Sequence, residues 1–474
     1  MRKKKERIIL ENVAVEDYAA EGKSISHVDG KVVFIENCIP GDVVDVQLLK
    51  NKKDWAEGFP VSFKKYSSDR VQPFCSHFGV CGGCQWQTLP YEKQLFYKQK
   101  QVTDNLQRIA KIPLPPINPI IGCEQTTLYR NKMEYTFSTK EFTPQPPKNS
   151  EPNLPSEVLE KIGAAGFHAK GFFEKVVEID TCHLQAEPTN KLRKAVANFA
   201  RENGMSFYDI RNHTGWLRTM QVRNTTIGEL MVNVVFGYED EKMRKQLLDE
   251  LLKQFPEITT LLYTINPKHN DSIYDLTPKV YSGKGYIIEQ LEDFQFKISP
   301  KSFFQTNTKQ AEILYKITRD FAALDGSQVL YDLYCGTGSI GIFASKGAKK
   351  IIGVETIAEA IEDAKENAQL NNIEHSFFYA GDVIKVCDDA FFEQHGKPDV
   401  IITDPPRAGM HEKLIKKLLD IEAPLIVYVS CNPATQARDL QLLDEKYKVE
   451  KIQPVDMFPH TLHIENVVQL KLKR

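Results

Sequence analysis

The chain of 474 residues contains no apolar run approaching the length needed to cross a bilayer, about 20 residues, which excludes a helical membrane protein. It also lacks net charge. Its 61 Lys and Arg face 63 Asp and Glu, leaving a formal −2, so no global field marks a nucleic-acid binder and any such contact must come from local patches. No internal repeat or low-complexity segment is present. The basic start, MRKKKERIIL, leads into an apolar stretch that Glu11 interrupts too soon for a secretory signal, and a cytoplasmic location is expected. Cysteine is sparse and odd in number, nine in all, which argues against a disulfide framework and for metal binding or catalysis.

What is present is an ordinary globular composition, 42% hydrophobic and 26% charged. The chain is too long for a single core, and two or three domains are expected. Over residues 1–65, short strands such as Lys31-Val32-Val33-Phe34-Ile35 and Trp55 to Phe63 alternate with turns such as Pro40-Gly41-Asp42, the pattern of a small β-barrel. A cysteine-rich turn at 75–84 precedes a helix from Tyr91 to about Ile109. The region 66–300 reads as mainly β, with alternation at Met133–Ser138 and Glu229–Val235. Thr143-Pro144-Gln145-Pro146-Pro147 opens a loop predicted over 141–157. From 301 to 474 helices and buried strands alternate, which predicts an α/β, doubly wound, Rossmann-like domain with a parallel sheet.

In that last region the strand Val329–Tyr334 runs into Cys335-Gly336-Thr337-Gly338-Ser339-Ile340-Gly341, a glycine-rich turn opening a helix. Glycines there let backbone approach a ligand. Later strands end on Glu355, on Gly381-Asp382 and on Asp404-Pro405-Pro406-Arg407, and in an open parallel sheet these ends face one crevice. Acids at successive strand ends suit a sulfonium cofactor and its adenosine, so S-adenosyl-L-methionine is the expected ligand; turn glycines and helix-capping acids are the plainer alternative. A further strand delivers Ser430-Cys431-Asn432-Pro433 to the same edge. Cys431 there is either a nucleophile or a buried small hydrophobe.

Asp404-Pro405-Pro406-Arg407, Ser430-Cys431-Asn432-Pro433 and Phe458-Pro459-His460-Thr461-Leu462-His463-Ile464-Glu465, in that order behind a glycine-rich turn, resemble the RNA uracil-5-methyltransferase family. Ser299-Pro300-Lys301-Ser302-Phe303-Phe304-Gln305 is similar to that family's entry into its catalytic domain. Residues 1–65 resemble a TRAM domain, an OB-like RNA-binding barrel. The resemblance implies Cys431 as nucleophile, Glu465 as general base and Asp404 beside them in the catalytic set. It implies Gln305, Tyr334, Glu355 and Asp404 at the cofactor, to which the turn adds Gly336 and Gly338 and the third strand end Asp382. Thiolate addition to C6 of uracil makes C5 nucleophilic, and a base must then remove the C5 proton. Arg407 could stabilise developing negative charge or hold a phosphate. The rival reading of Asp-Pro-Pro, an amino-group N-methyltransferase, expects an aromatic where Arg407 stands.

Cys75, Cys81 and Cys84 are spaced C-x5-C-x2-C, which by itself leaves a [4Fe-4S] cluster and structural zinc open. The resemblance favours the iron-sulfur cluster, with Cys182 as the distant fourth ligand. Tyr129-Arg130-Asn131-Lys132 and Trp216-Leu217-Arg218 set basic groups beside aromatics, either as RNA contacts or as solvated strand faces. The implied activity is methylation of C5 of a uridine in RNA through a covalent Cys431 intermediate. 23S ribosomal RNA is favoured over transfer RNA, because the transfer-RNA branch of the family generally lacks the barrel and the cysteine cluster. No membrane partner and a monomeric state are expected. An RNA-binding factor with a dead catalytic domain is the alternative from another class.

Overall fold

The structure is a computed structural model describing residues 7–19, 22–143 and 163–473. Most of the loop predicted over 141–157 lies outside these residues. Near the N-terminus six strands form one sheet in the order Ile9–Ala14, Val43–Asn51, Trp55–Lys65, Lys31–Ile35, Ser24–Val28, Asp17–Tyr18. Its two edge strands are consecutive in the chain. The residues between them bond to different strands, Val15 N–H donating to the Asp42 carbonyl (2.8 Å) and Glu16 N–H to the Ile25 carbonyl (2.9 Å). The sheet therefore curls on itself, around Val33, Ile35, Val44 and Val46.

The helix Tyr91–Asn105 continues through one widened turn to Ala110. Its Val102, Leu106 and Ala110 share a core with Leu440 and Ile426, so it buttresses the C-terminal part of the chain.

A second sheet has seven strands in the order Lys279–Gly283, Thr260–Ile265, Leu230–Phe236, Leu217–Asn224, Lys132–Ser138, Ala164–His168, Val176–Glu178. The expectation of a mainly β region is corrected here. Two helices, Thr189–Glu202 and Glu241–Gln254, pack Leu192, Val196, Leu247 and Leu251 on one sheet face against Tyr135, Val222 and Val234. Those apolar residues recur at helical spacing within charged sequence, a helix signal that the neighbouring strands overshadowed.

The third sheet carries the C-terminal half: β1 (Val329–Leu333), β2 (Lys350–Glu355), β3 (Ser376–Ala380), β4 (Val400–Thr403), β5 (Leu425–Ser430), β6 (Tyr447–Val455) and β7 (Glu465–Leu472). Their order is β3-β2-β1-β4-β5-β7-β6. The first five are parallel, as expected for a doubly wound sheet, but β6 and β7 add an antiparallel hairpin that the sequence reading did not foresee. Both faces are buried. Leu330, Ile351 and Ile402 point to one core, and Tyr331, Ile352 and Ile401 to the other, which is why these strands read as continuous apolar runs. Among the described residues no helix is long and apolar enough to cross a membrane.

Candidate active site

All of the predicted strand-end residues gather at the carboxyl edge of the third sheet. β1 ends into Tyr334 and the glycine turn, β2 on Glu355, β3 just before Asp382, β4 just before Asp404, and β5 just before Cys431. The antiparallel β7 enters that edge from the other direction. Its register pairs Ser430 with Asn466, which brings the next residues, Cys431 and Glu465, near enough for the Glu465 charge to act on the thiol.

Two glycines of the turn do different work. Gly338 has φ 75°, and a Cβ there would come within 3.0–3.1 Å of the Phe378 ring and Ala364. That position is closed to larger residues. Gly336 has φ 54° and open space on its Cβ side, so its backbone is exposed to an approaching ligand. Its N–H donates to Glu355 Oε2 at 3.3 Å. The other Glu355 oxygen accepts from Thr356 Oγ1 (2.9 Å) and Ile357 N–H (3.0 Å). Asp382 caps the short helix that follows it, accepting from Ile384 N–H at 3.0 Å. Burial, followed by the charges of Asp382, Asp439 and Glu355, raises the Tyr334 phenol. Gln305 is buried, and its carbonyl accepts from Asn131 Nδ2 at 2.9 Å.

Burial drives the carboxyls of Asp404 and Glu465 upward, and for Glu465 the Asp404 charge adds to the effect while Arg407 opposes it. Each ionises less readily than an exposed carboxyl, because burial and, for Glu465, the neighbouring Asp404 charge disfavour the carboxylate form. Cys431 is pushed up to about 11 by burial and then by Glu465 and Asp404, with the Arg407 guanidinium beside it working toward the thiolate. Arg407 is held on both ends. Its carbonyl accepts from Asn432 Nδ2 (3.0 Å) and Thr435 Oγ1 (3.2 Å), and its Nη2 donates to His463 Nδ1 (2.7 Å). His463 must be neutral to accept that bond. Burial and the Arg407 charge agree, holding it down at about 4.

Sequence reasoning passed over Asp332, whose Oδ2 accepts from Gly341 N–H at 2.8 Å while its other oxygen is buried without a partner. Burial pushes this carboxyl up to about 7. The signal was an acid inside the apolar strand Leu330–Leu333. Also missed were Phe303, 70% exposed beside buried Phe304 and Gln305, and the support of the loop that carries Glu465. That loop is gripped from the helix Tyr91–Asn105. Gln94 accepts from His460 N–H at 2.9 Å and meets its Nδ1 at 3.1 Å, and Tyr91 donates to Asp456 at 2.8 Å.

Trp216 and Arg218 face neither RNA nor solvent. Both are buried, and Arg218 donates to the carbonyls of Asn266 (2.7 Å), Lys268 (2.6 Å) and Asn270 (3.0 Å). Arg130 and Lys132 stay half-buried. Cys75, Cys81, Cys84 and Cys182 line one cavity of about 400 Å³, together with His463 and Thr461 of the loop that leads to Glu465. All nine cysteines are free thiols. Among the described residues no three His, Cys, Asp or Glu side chains are arranged to hold a metal ion, so the structure does not itself show a metal centre.

A doubly wound sheet with a glycine turn after its first strand, and acids and a cysteine at the following strand ends, defines a methyltransferase domain. The comparisons agree. A family model described as methyltransferase small domain matches residues 316–422, and one described as tRNA (Uracil-5-)-methyltransferase matches residues 392–473. An uncharacterized RNA methyltransferase of Bacteroides thetaiotaomicron is 52% identical over 96% of this chain and 100% of its own, and another of Chlorobaculum tepidum is 38% identical over 96% and 95%. The crystal structure of Pyrococcus abyssi tRNA (uracil-54, C5)-methyltransferase in complex with S-adenosyl-L-homocysteine superposes with a TM-score of 0.75. It is 28% identical and covers 97% of this chain and 100% of its own. The chain belongs to the RNA uracil-5-methyltransferase family.

Proposed function

We propose that this protein methylates C5 of a uridine in RNA, with Cys431 as covalent nucleophile and Glu465 as the base. The observation that carries this reading is the placement of Cys431 near Glu465, with Asp404 and Arg407 beside them. An N-methyltransferase would leave that pair without a task.

S-adenosylmethionine fits the strand-end crevice: Gly336 leaves backbone open, and Glu355, Asp382 and Asp404 set carboxylates where a sulfonium and ribose hydroxyls would be held. When bound, it supplies an electrophilic methyl group to C5. Cys431 passes its proton to solvent water and its sulfur adds to C6 of the uracil, moving the ring's electron pair toward C5 and the C4 oxygen. Once C5 carries its new substituent, the carboxylate of Glu465 takes the C5 proton, and the released pair expels the Cys431 thiolate. Burial raises the Glu465 carboxyl and so strengthens it as a proton acceptor for that transfer. Arg407, oriented by His463, lowers the cost of the thiolate. The target base must leave its stack to reach Cys431, at a cost of a few kcal/mol.

We assign residues 1–65 to a TRAM-like RNA-binding barrel, 66–300 to a central unit carrying the cysteines and 301–474 to catalysis. Cys75, Cys81, Cys84 and Cys182 would hold a [4Fe-4S] cluster. Their convergence on one cavity supports this, four thiols being the donor set such a cluster takes. Iron and acid-labile sulfide in anaerobically prepared protein would bear this out, and zinc alone would refute it. Ribosomal RNA was favoured because of the barrel and the cysteines. The Pyrococcus protein, named for transfer RNA, matches 97% of this chain, so domain content does not choose between the two substrates.

The test uses ribosomal and transfer RNA containing 5-fluorouridine, whose fluorine cannot leave as a proton. A denaturation-resistant adduct that requires S-adenosylmethionine and vanishes in Cys431→Ala is the expected result. Methyl transfer to RNA without any adduct would overturn the assignment of Cys431.

A further inference from the structure

The strand Lys132–Ser138 pairs with Leu217–Asn224 in a register that sets Lys132 directly opposite Arg223. Two cations therefore stand side by side on one face of the second sheet, a position in which like charges repel. The groups they bond directly are neutral. Arg223 Nη2 donates to the Ser302 carbonyl at 2.6 Å, while its Nε is buried without a partner. Lys132 Nζ reaches the side-chain oxygen of Gln221 at 3.2 Å when that amide is turned to satisfy both its ends. Among the described residues neither cation forms an ion pair. The charged and titratable groups that act on them from a distance are Glu134 and Arg130 on the Lys132 strand and Tyr274 in the covering loop.

This arrangement carries a cost. Arg223 is buried and Lys132 half-buried, and an uncompensated charge taken out of water destabilises the fold. Burial pushes Lys132 down to about 8, with Arg223 adding to the effect, and pushes Arg223 down to about 10. Of the other buried cations, Lys98 has Asp456, Arg218 has Asp271 and Arg244 has Glu239, while Arg193, like Arg223, donates to backbone carbonyls, those of Ala165 and Asp180.

The location gives the pair a use. Arg223 bonds the carbonyl of Ser302, and Asn131, next to Lys132, bonds the carbonyls of Gln305 and Thr306. Arg223 thus abuts the Ser302–Gln305 segment with Lys132 opposite it in the sheet, and from that segment, which runs into the methyltransferase domain, the Phe303 ring projects toward solvent at 70% exposure. Cations beside an exposed aromatic are the combination that holds single-stranded nucleic acid.

We propose that Lys132 and Arg223 form an anion site that anchors a phosphodiester of the RNA substrate close to the nucleotide presented to Cys431. The proposal rests on the reading of the protein as an RNA-modifying enzyme and adds where the backbone is gripped. The bound phosphate supplies the counter-charge that the fold leaves out, so these residues trade stability of the free protein for affinity.

The experiment measures RNA binding by the full chain across a salt series, with thermal melting of the same samples without RNA, for wild type, Lys132→Met, Lys132→Arg and Arg223→Met. Lys132→Met is expected to melt no lower than wild type, to bind RNA about tenfold more weakly, and to reduce the slope of log affinity against log salt by about one, the loss of one phosphate contact. Lys132→Arg is expected to keep the wild-type slope. Inorganic phosphate is expected to raise the wild-type melting temperature more than that of Lys132→Met. A wild-type slope retained in both Lys132→Met and Arg223→Met overturns the anchor while leaving the RNA reading intact. Failure of the wild type itself to bind RNA would refute both.

Discussion

Lys98 Nζ lies 2.7 Å from Asp456 Oδ1, and neither side chain is exposed to solvent. The pair joins the helix Tyr91–Asn105 to the end of β6, just before the loop that ends on Glu465. Lys98 also donates to the Phe458 carbonyl at 3.1 Å, and Asp456 accepts from Tyr91. The N-terminal part of the chain thereby fixes the position of the proposed base.

Lys98→Met should destabilise the fold by about 3–5 kcal/mol, because it strands a buried carboxylate. Lys98→Met combined with Asp456→Leu should recover part of the loss, since no lone charge then remains. Chemical denaturation of the three proteins checks this; equal loss in the single and double variants would contradict it.

Glu465→Gln should accumulate a covalent RNA adduct even with ordinary uridine, because glutamine cannot accept the C5 proton that must leave before Cys431 is released. A denaturing gel with labelled RNA reads the result. Complete absence of adduct, with the variant still folded and binding RNA, would point to another base.

Arg407→Gln should slow adduct formation and shift its rising pH limb to higher pH. The thiolate is the reactive form, burial and the two carboxyls already push Cys431 up to about 11, and Arg407 opposes them. His463→Ala, which frees the guanidinium from its 2.7 Å contact, should move the limb the same way by a smaller step.

Asp332 provides a pH signature of stability. Its carboxyl is pushed up to about 7 in the folded protein, against about 3.9 in an unfolded chain. Between those values the folded state holds the extra proton, so this residue's contribution to stability falls as pH rises from about 4 to 7. Asp332→Asn should flatten that decline relative to wild type in melting experiments across the window. Parallel curves would show that Asp332 does not titrate there.

How legible the chain is differs with the range of the interaction. The strand Lys31–Ile35 is read from the sequence to the residue, because burial on one or both faces of a strand writes a period of two or a continuous apolar run. The antiparallel hairpin of β6 and β7 was missed, since its buried residues give the same apolar run without announcing direction. Trp216-Leu217-Arg218 misled for a related reason. A basic residue beside an aromatic looks like a surface contact until backbone carbonyls 48–52 positions away are seen to surround it.

The sequence alone determined the family, the glycine turn and the acids at the strand ends, and it named Cys431 and Glu465 as the candidates proposed above, because motif residues are set by chemistry and stand in local order. Only the tertiary structure decided that Glu465 lies near Cys431, that His463 holds Arg407, that the helix Tyr91–Asn105 supports the loop that leads to Glu465, and that Lys132 and Arg223 meet without a counter-charge. Those relationships depend on strand register and on packing between segments hundreds of residues apart, and neither leaves a local pattern to read.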